Sequence, residues 1–222
     1  MNFEQWQNVD TVLLDMDGTL LDLNYDNYVW NTLVPQAYAE QNNLAIDVAK
    51  EALFTHMMNI KGTIEFYSFE YWTHHCNFDE GKLVSIHQQA AGLIQYRQGV
   101  IEFLRKAKSL GKQLVITTNA HRASVDIKNQ FTNLDKEVHE IVSSHDYGHP
   151  KEHFLFWQSL QQHCPYKPEQ TLFLDDNEAV LDAAADANIN YLLCISQPDS
   201  QRPIRKNLRY PYVNSLNEIT HS

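Results

Sequence analysis

The sequence predicts an α/β protein, a doubly wound parallel sheet with an α-helical cap inserted after the first strand. Three features carry this expectation. Short apolar runs alternate with helical patterns, reactive polar residues gather at the ends of those runs, and one long helical stretch interrupts the alternation early.

The apolar runs are Thr11–Leu14, Leu114–Thr117, Ile141–Ser143, Thr171–Leu174 and Tyr191–Ile195. Each is unbroken rather than alternating, the pattern of a strand covered on both faces of a parallel sheet. Between them, Gly99–Leu110 places Val100, Phe103, Leu104 and Ala107 on one helical face, with Gly111 as a stop. Phe154, Leu155, Trp157 and Leu160 have similar spacing, and Glu178–Ala187 is rich in the helix formers Ala and Leu. Strands alternating with helices mean a doubly wound sheet.

From Leu23 to Gln95 no buried strand is legible, but Val29, Leu33 and Tyr38, then Val48, Leu53 and Met57, then Phe66, Phe69 and Trp72 suggest helices. Roughly 70 residues is too long for a plain loop. The expected division is a core from residues 1–22 and 96–222 and a helical cap from 23–95, sitting over the strand ends as a lid. The tail after Gln197, with Pro198, Pro203 and Pro211, reads as a surface wrap with little structure of its own.

The 222 residues suffice for one sizeable core plus a smaller module, and 43% hydrophobic with 20% charged residues is the balance of a folded chain. A net charge of -11 argues against a nucleic-acid polymer or an anionic membrane as partner. A small anion at a locally cationic or metal-bearing site stays compatible with it. Cys76, Cys164 and Cys194 show no paired spacing, Met1–Asp10 lacks the apolar run of a secretion signal, and no stretch is apolar enough to span a membrane. The expected location is cytoplasmic, and no obligate protein partner is inferred.

Chemistry concentrates at the strand ends, where open α/β sheets bind ligands. The first run ends in Asp15-Met16-Asp17-Gly18, the second in Thr118-Asn119 and the fourth in Asp175-Asp176, while the third leads shortly to Pro150-Lys151. Two carboxylates one residue apart can hold a hard divalent cation and still present an oxygen to a substrate. Asp175 and Asp176 add further ligands, and four carboxylates at one edge repel one another unless a cation sits among them. Helix capping accounts for one of that pair, not both. Thr118 with its neighbouring backbone N–H groups suits a phosphate oxygen, and Lys151 gains meaning only in this company.

In order and spacing, the segment Asp15–Asp22, the strand ending at Thr118-Asn119, Pro150-Lys151 and Leu172–Asp176 resemble the four motifs of the haloacid dehalogenase-like hydrolase superfamily. The resemblance spans essentially the whole chain and implies a Rossmann-like hydrolase core with a helical cap. Leu21-Asp22-Leu23, Tyr25-Asp26-Asn27-Tyr28, Thr118-Asn119-Ala120-His121 and Pro150-Lys151-Glu152 further resemble the bacterial GMP/IMP nucleotidase subfamily, although the likeness is thin through Asp47–Gly99.

By that resemblance, Asp15 is the nucleophile that becomes an aspartyl-phosphate, and Asp17 is the acid that protonates the leaving oxygen and then activates water. Asp15, the main-chain carbonyl of Asp17 and Asp176 ligate Mg2+, Lys151, Thr118 and Asn119 bind the phosphate, and Asp175 orients Lys151 or a metal-bound water. The implied substrate is a small phosphomonoester, a purine 5'-mononucleotide first. Phosphoglycolate, a sugar phosphate or phosphomutase chemistry are the alternatives, as is a non-catalytic binding protein on the same fold. Dehalogenation is disfavoured by Asp17, because the superfamily's dehalogenases lack an acid at that place.

Tyr25, Tyr28, Trp30, Phe66, Tyr67, Phe69, Tyr71 and Trp72 could stack on a base, but aromatic residues of a helical module are more often its core. Tyr25 and Asn27, immediately after the first motif, and His121, beside the second, are the favoured substrate contacts. His74-His75-Cys76 lacks a second ligand pair for zinc. Arg202, Arg205, Lys206 and Arg209 read as a solvated basic tail.

Overall fold

The computed structural model describes residues 3–220, so residues 1–2 and 221–222 of the expected core segments lie outside the described residues. Six strands, β1 (Thr11–Leu14), β2 (Gln113–Thr118), β3 (Glu140–Ser143), β4 (Thr171–Asp175), β5 (Tyr191–Ile195) and β6 (Tyr212–Val213), form one sheet in the order β3-β2-β1-β4-β5-β6. Every pairing is parallel. The expected doubly wound fold is present, with the first strand in the middle.

Continuous apolar runs follow from burial on both sheet faces. Val12, Leu14, Leu114, Ile116, Leu172 and Leu174 point into one cluster, with Phe103 and Leu104 of the helix Val100–Ser109. Leu13, Val115, Val142 and Phe173 point into the other, against Phe156, Trp157 and Leu160 of the helix Phe154–His163 and Val180, Leu181 and Ala184 of the helix Glu178–Asp186. Side chains alternate across a strand, so both parities must be apolar.

Residues 24–93 are built from helices, including Asn24–Tyr28, Val34–Asn42, Ile46–Ile60, Phe69–His75 and Lys82–Gln89. A π-helical turn, Val29–Leu33, lies between the first two, just before Pro35. A proline ring collides with the carbonyl four residues earlier, and a widened turn relieves that. The two passages between this stretch and the sheet run side by side. Leu21 and Tyr96 form an antiparallel bridge, and the Asp22 N–H donates to the Gln95 carbonyl at 2.9 Å.

The tail departs from expectation. It adds β6 to the sheet edge, and the Cys194 N–H donates to the Pro211 carbonyl at 2.8 Å. A proline lacks an N–H but still accepts through its carbonyl, so Pro211 can stand beside a strand. Val213, Leu216 and Ile219 are buried in the main core. Side chains also tie the tail down. Arg97, just before the helix Val100–Ser109, donates to the carbonyls of Gln197 and Asn214, both at 2.8 Å, while Arg209 of the tail pairs with Asp182 at 2.8 Å.

A tail that belongs to the core gives a measurable outcome. Leu216→Ala should cost about 2–5 kcal/mol, as for a buried leucine, whereas Ile204→Ala, at a side chain 48% exposed, should stay within roughly 0.5 kcal/mol. Urea midpoints for the two variants check this; equal midpoints would return the tail to a surface wrap.

Candidate active site

Central β1 carries the first reactive carboxylate to the point where the chain crosses from one half of the sheet to the other, a natural ligand crevice. Asp15 directly follows β1, its N–H donating to the Leu174 carbonyl at 2.9 Å. Thr118 ends the neighbour on one side and Asp175 the neighbour on the other. Gly18 lets the next turn close. Its φ is +91°, and an added Cβ would stand 2.9 Å from Pro198 Cβ and 3.0 Å from Asp176 Cγ. The loop therefore brings the Gly18 backbone against Pro198 and Asp176 in a way only glycine permits.

Lys151 lies buried at the centre. Its Nζ donates to Asp15 Oδ1 at 2.6 Å and to Asp175 Oδ2 at 2.7 Å. Three contacts hold the lysine backbone and its surroundings. The Lys151 N–H donates to Asn119 Oδ1 at 2.8 Å, the Trp157 indole donates to the Lys151 carbonyl at 2.8 Å, and Asn119 Nδ2 donates to Glu152 Oε2 at 2.9 Å. Asn119, expected at the phosphate, thus has its side chain committed to fixing the lysine loop. Thr118 Oγ1 accepts from the Ala120 N–H at 3.0 Å, which leaves its hydroxyl proton to donate elsewhere.

Carboxylate oxygens of Asp15, Asp175 and Asp176 lie within 4.8 Å of one another. Asp15 Oδ2 is buried without a hydrogen-bond partner. Burial, then the competing pull of Lys151 and push of Asp175, leave the Asp15 pKa raised to about 7. Burial and the charge of Asp15 raise Asp176 to about 7 as well, and burial raises Asp175 to about 6 despite Lys151. An orphaned carboxylate oxygen among hard oxygen donors, all reluctant to ionise together, fits a divalent cation such as Mg2+. Asp175 reaches this cluster while also gripping Lys151, so the geometry brings it nearer the cation site than a purely orienting role requires.

Asp17 faces a second buried lysine. Lys128 Nζ is 2.7 Å from Asp17 Oδ1 and 2.7 Å from Asp26 Oδ1. Burial works against this cation, but Asp17 and Asp26 more than compensate and hold its pKa above the ordinary lysine range. Burial and the Asp17 charge raise Asp26 to about 7. The sequence shows Asp26 only as part of a motif, with no role, and does not single out Lys128. The available signal was periodicity, since Lys128 falls on the inward stripe of its helix with Ser124, Val125 and Ile127.

Residues 9–188 match the family model for haloacid dehalogenase-like hydrolases. The chain belongs to the haloacid dehalogenase-like hydrolases. It is 36% identical over 217 residues to the GMP/IMP nucleotidase YrfG of Escherichia coli, covering 98% of this chain and 96% of that one. The pyrophosphatase PpaX of Bacillus cereus is 26% identical over 175 residues, 76% of this chain and 75% of its own. Among solved structures, a HAD phosphatase from Thermococcus onnurineus superposes with a TM-score of 0.79 at 16% identity, covering 96% of this chain and 97% of that chain.

In this hydrolase the site opens into a cavity of about 670 Å³ between the strand ends and the helices of residues 24–93, within the usual range for small-ligand sites. Its walls include Trp30, Phe54, Met58, Phe66, Phe69 and Trp72. Phe54, 64% exposed, had not been singled out in the sequence. Asn27 lines the cavity and donates to Asp199 Oδ2 at 2.6 Å. His121 lines it too, with Nε2 2.9 Å from Glu70 Oε2 and its ring stacked on Phe69.

Tyr25 is a correction: it stands behind the cavity wall, 1% exposed, with its hydroxyl donating toward His87. Tyr25 and Val29 lie four apart on one helical run, and both are buried, so the phenol faces the core. Burial, then Lys128, keep His87 neutral by lowering its pKa to about 3. Arg205 corrects the solvated-tail expectation. Its guanidinium lines the cavity and donates to the Asp176 carbonyl at 2.7 Å and to the Ile195 carbonyl.

Raised carboxyl pKa values mean that the folded, metal-free hydrolase binds protons more tightly than the unfolded chain, so this contribution to stability falls as pH rises from about 4 to about 7. A cation competing for the same oxygens gains as those protons leave. Millimolar Mg2+ should therefore raise the melting temperature over an EDTA control more at pH 8 than at pH 5. Equal shifts at both pH values in a thermal scan would contradict this site.

Proposed function

We propose that this hydrolase is a Mg2+-dependent phosphomonoesterase that works through a phosphorylated Asp15, with purine 5'-mononucleotides of the GMP/IMP type as its substrates. The observation that carries the reading is the state of Asp15. Lys151 holds one of its oxygens at 2.6 Å, and the other is buried with no hydrogen-bond partner.

In the first step an Asp15 oxygen bonds to phosphorus as the ester P–O bond breaks, and Asp17 gives its proton to the departing oxygen. In the second step Asp17 takes a proton from water, which attacks the acyl-phosphate and frees Asp15 with inorganic phosphate. Lys151 lowers the barrier to bringing a carboxylate against a phosphate dianion, a repulsion of about 4 kcal/mol per charge pair at ~4 Å with an effective dielectric near 20. Asp175, paired with Lys151 at 2.7 Å, keeps the ammonium aimed between nucleophile and phosphate. Thr118 donates to a phosphate oxygen, and Asn119 acts on the phosphate through the Lys151 backbone. Bound Mg2+, held by Asp15, Asp176 and the main-chain carbonyl of Asp17, supplies charge neutralisation for the phosphate. Phosphoryl transfer otherwise requires chiefly positioning.

Purine nucleotides are favoured by the likeness to YrfG at 36% identity over nearly the whole chain and by the ring-lined cavity wall, where a flat base can stack. A cytoplasmic setting belongs to the same proposal, because Cys76, Cys164 and Cys194 are buried, unpaired thiols.

In a panel of phosphomonoesters with Mg2+, GMP and IMP should lead phosphoglycolate and sugar phosphates in kcat/KM, and EDTA should stop release. Asp15→Asn should fall to background. Asp17→Asn should lose roughly 10²–10⁴-fold in kcat with little change in binding. Rapid quench should trap phosphate on Asp15; turnover without such an acyl-phosphate would refute the mechanism, and a lead for another ester would refute the purine assignment.

A further inference from the structure

We propose that Lys128 is a positioning residue for Asp17, holding the acid in place by tying it to Asp26 on the helix Asn24–Tyr28. The inference rests on the phosphomonoesterase reading and adds a residue that the mechanism above does not use.

Lys128 is 1% exposed, on the helix Arg122–Thr132 that follows the second motif. A buried ammonium costs several kcal/mol unless well paired, and an apolar side chain would fill this place at less cost. One carboxylate would suffice to staple that helix to residue 26. Instead the same Nζ stands 2.7 Å from Asp26 and 2.7 Å from Asp17, and it lies 5.3 Å from the Tyr25 ring centroid. Asp17 also lines the cavity, its side chain 19% exposed.

A freely rotating Asp17 would swing between solvent, the cation cluster and the leaving oxygen. Fixing Oδ1 against Lys128 restricts the carboxyl group to the Lys128 side of the turn. Asp26 fixes the lysine in turn, and the Tyr25–His87 contact at 3.0 Å anchors the segment that carries Asp26. The acid is thus aligned from the cap side, independently of Lys151, which aligns the nucleophile from the sheet side.

Positioning and bulk stability are separable by leaving group. A nucleoside 5'-alkoxide needs its proton during bond cleavage, whereas p-nitrophenolate departs without one. Lys128→Met, Lys128→Arg and the double variant Asp26→Asn/Lys128→Met are compared with the unaltered enzyme, using GMP turnover and the burst of p-nitrophenol that reports phosphorylation of Asp15. The double variant guards against misfolding, since it removes one of the two carboxylates left facing each other.

Whichever lysine-free variant is folded by circular dichroism should lose roughly 100-fold or more on GMP and less than about 5-fold in the burst. Lys128→Arg should recover part of the GMP loss. Equal losses on both esters, or undiminished GMP turnover, would overturn the inference while leaving the phosphomonoesterase reading intact. Release from neither ester by the unaltered enzyme would overturn both.

Discussion

The site depends on one buried cation placed between two carboxylates. Lys151 is 2% exposed and touches Asp15 and Asp175 at once. Without it, two buried anions would face each other, a loss on the order of 3–5 kcal/mol when one partner of a buried pair is removed. The rest of that loop serves this placement: Asn119 holds the lysine's N–H, Trp157 its carbonyl, and Glu152 holds Asn119. Lys128 repeats the arrangement between Asp17 and Asp26. Alternating lysines and aspartates allow a strongly acidic edge to persist within a folded core. Among the described residues, Asp176 forms no ion pair with either lysine, and burial with the nearby Asp15 charge raises its pKa to about 7.

What was readable in the sequence was what depends on near neighbours. Strands buried on both faces must be apolar at every position, so β1 and β5 were found to the residue and β2, β3 and β4 within one. Residues at strand ends converge because of the sheet itself, so Asp15, Thr118 and Asp175 could be brought together without coordinates. Other features needed the third dimension. The surroundings of Lys128 look like any solvated helix, and only its register with Val125 and Ile127 betrays burial. Tyr25 drew attention by its place after the first motif, whereas its four-residue spacing from Val29 decided its direction. The two residues of β6 are too few to produce a pattern, and their role exists only because β5 offers a free edge.

The mouth of the site is held by contacts from both sides. Tyr67 donates to Glu152 Oε1 at 2.9 Å, the same carboxylate that fixes Asn119. His121 joins Glu70 and Phe69 to the start of the helix after β2. Helices of the inserted stretch therefore reach the loops that carry Asn119, His121 and Glu152, not merely the opening above them. The cavity walls and the loops that align the charged groups thus share these side chains.

The place of β1 at the middle of the sheet has a consequence for how the protein is made. Thr11 pairs with Gln113 on one side and Thr171 on the other, so β1 leaves the ribosome well before either of its partners. Until β4 emerges, an apolar ribbon bearing Asp15 has one edge bare, a state in which chains are prone to associate with each other. Arg205, which supports the loop of Asp176, arrives later still. Closure of the site therefore waits on segments that lie far along the chain from Asp15.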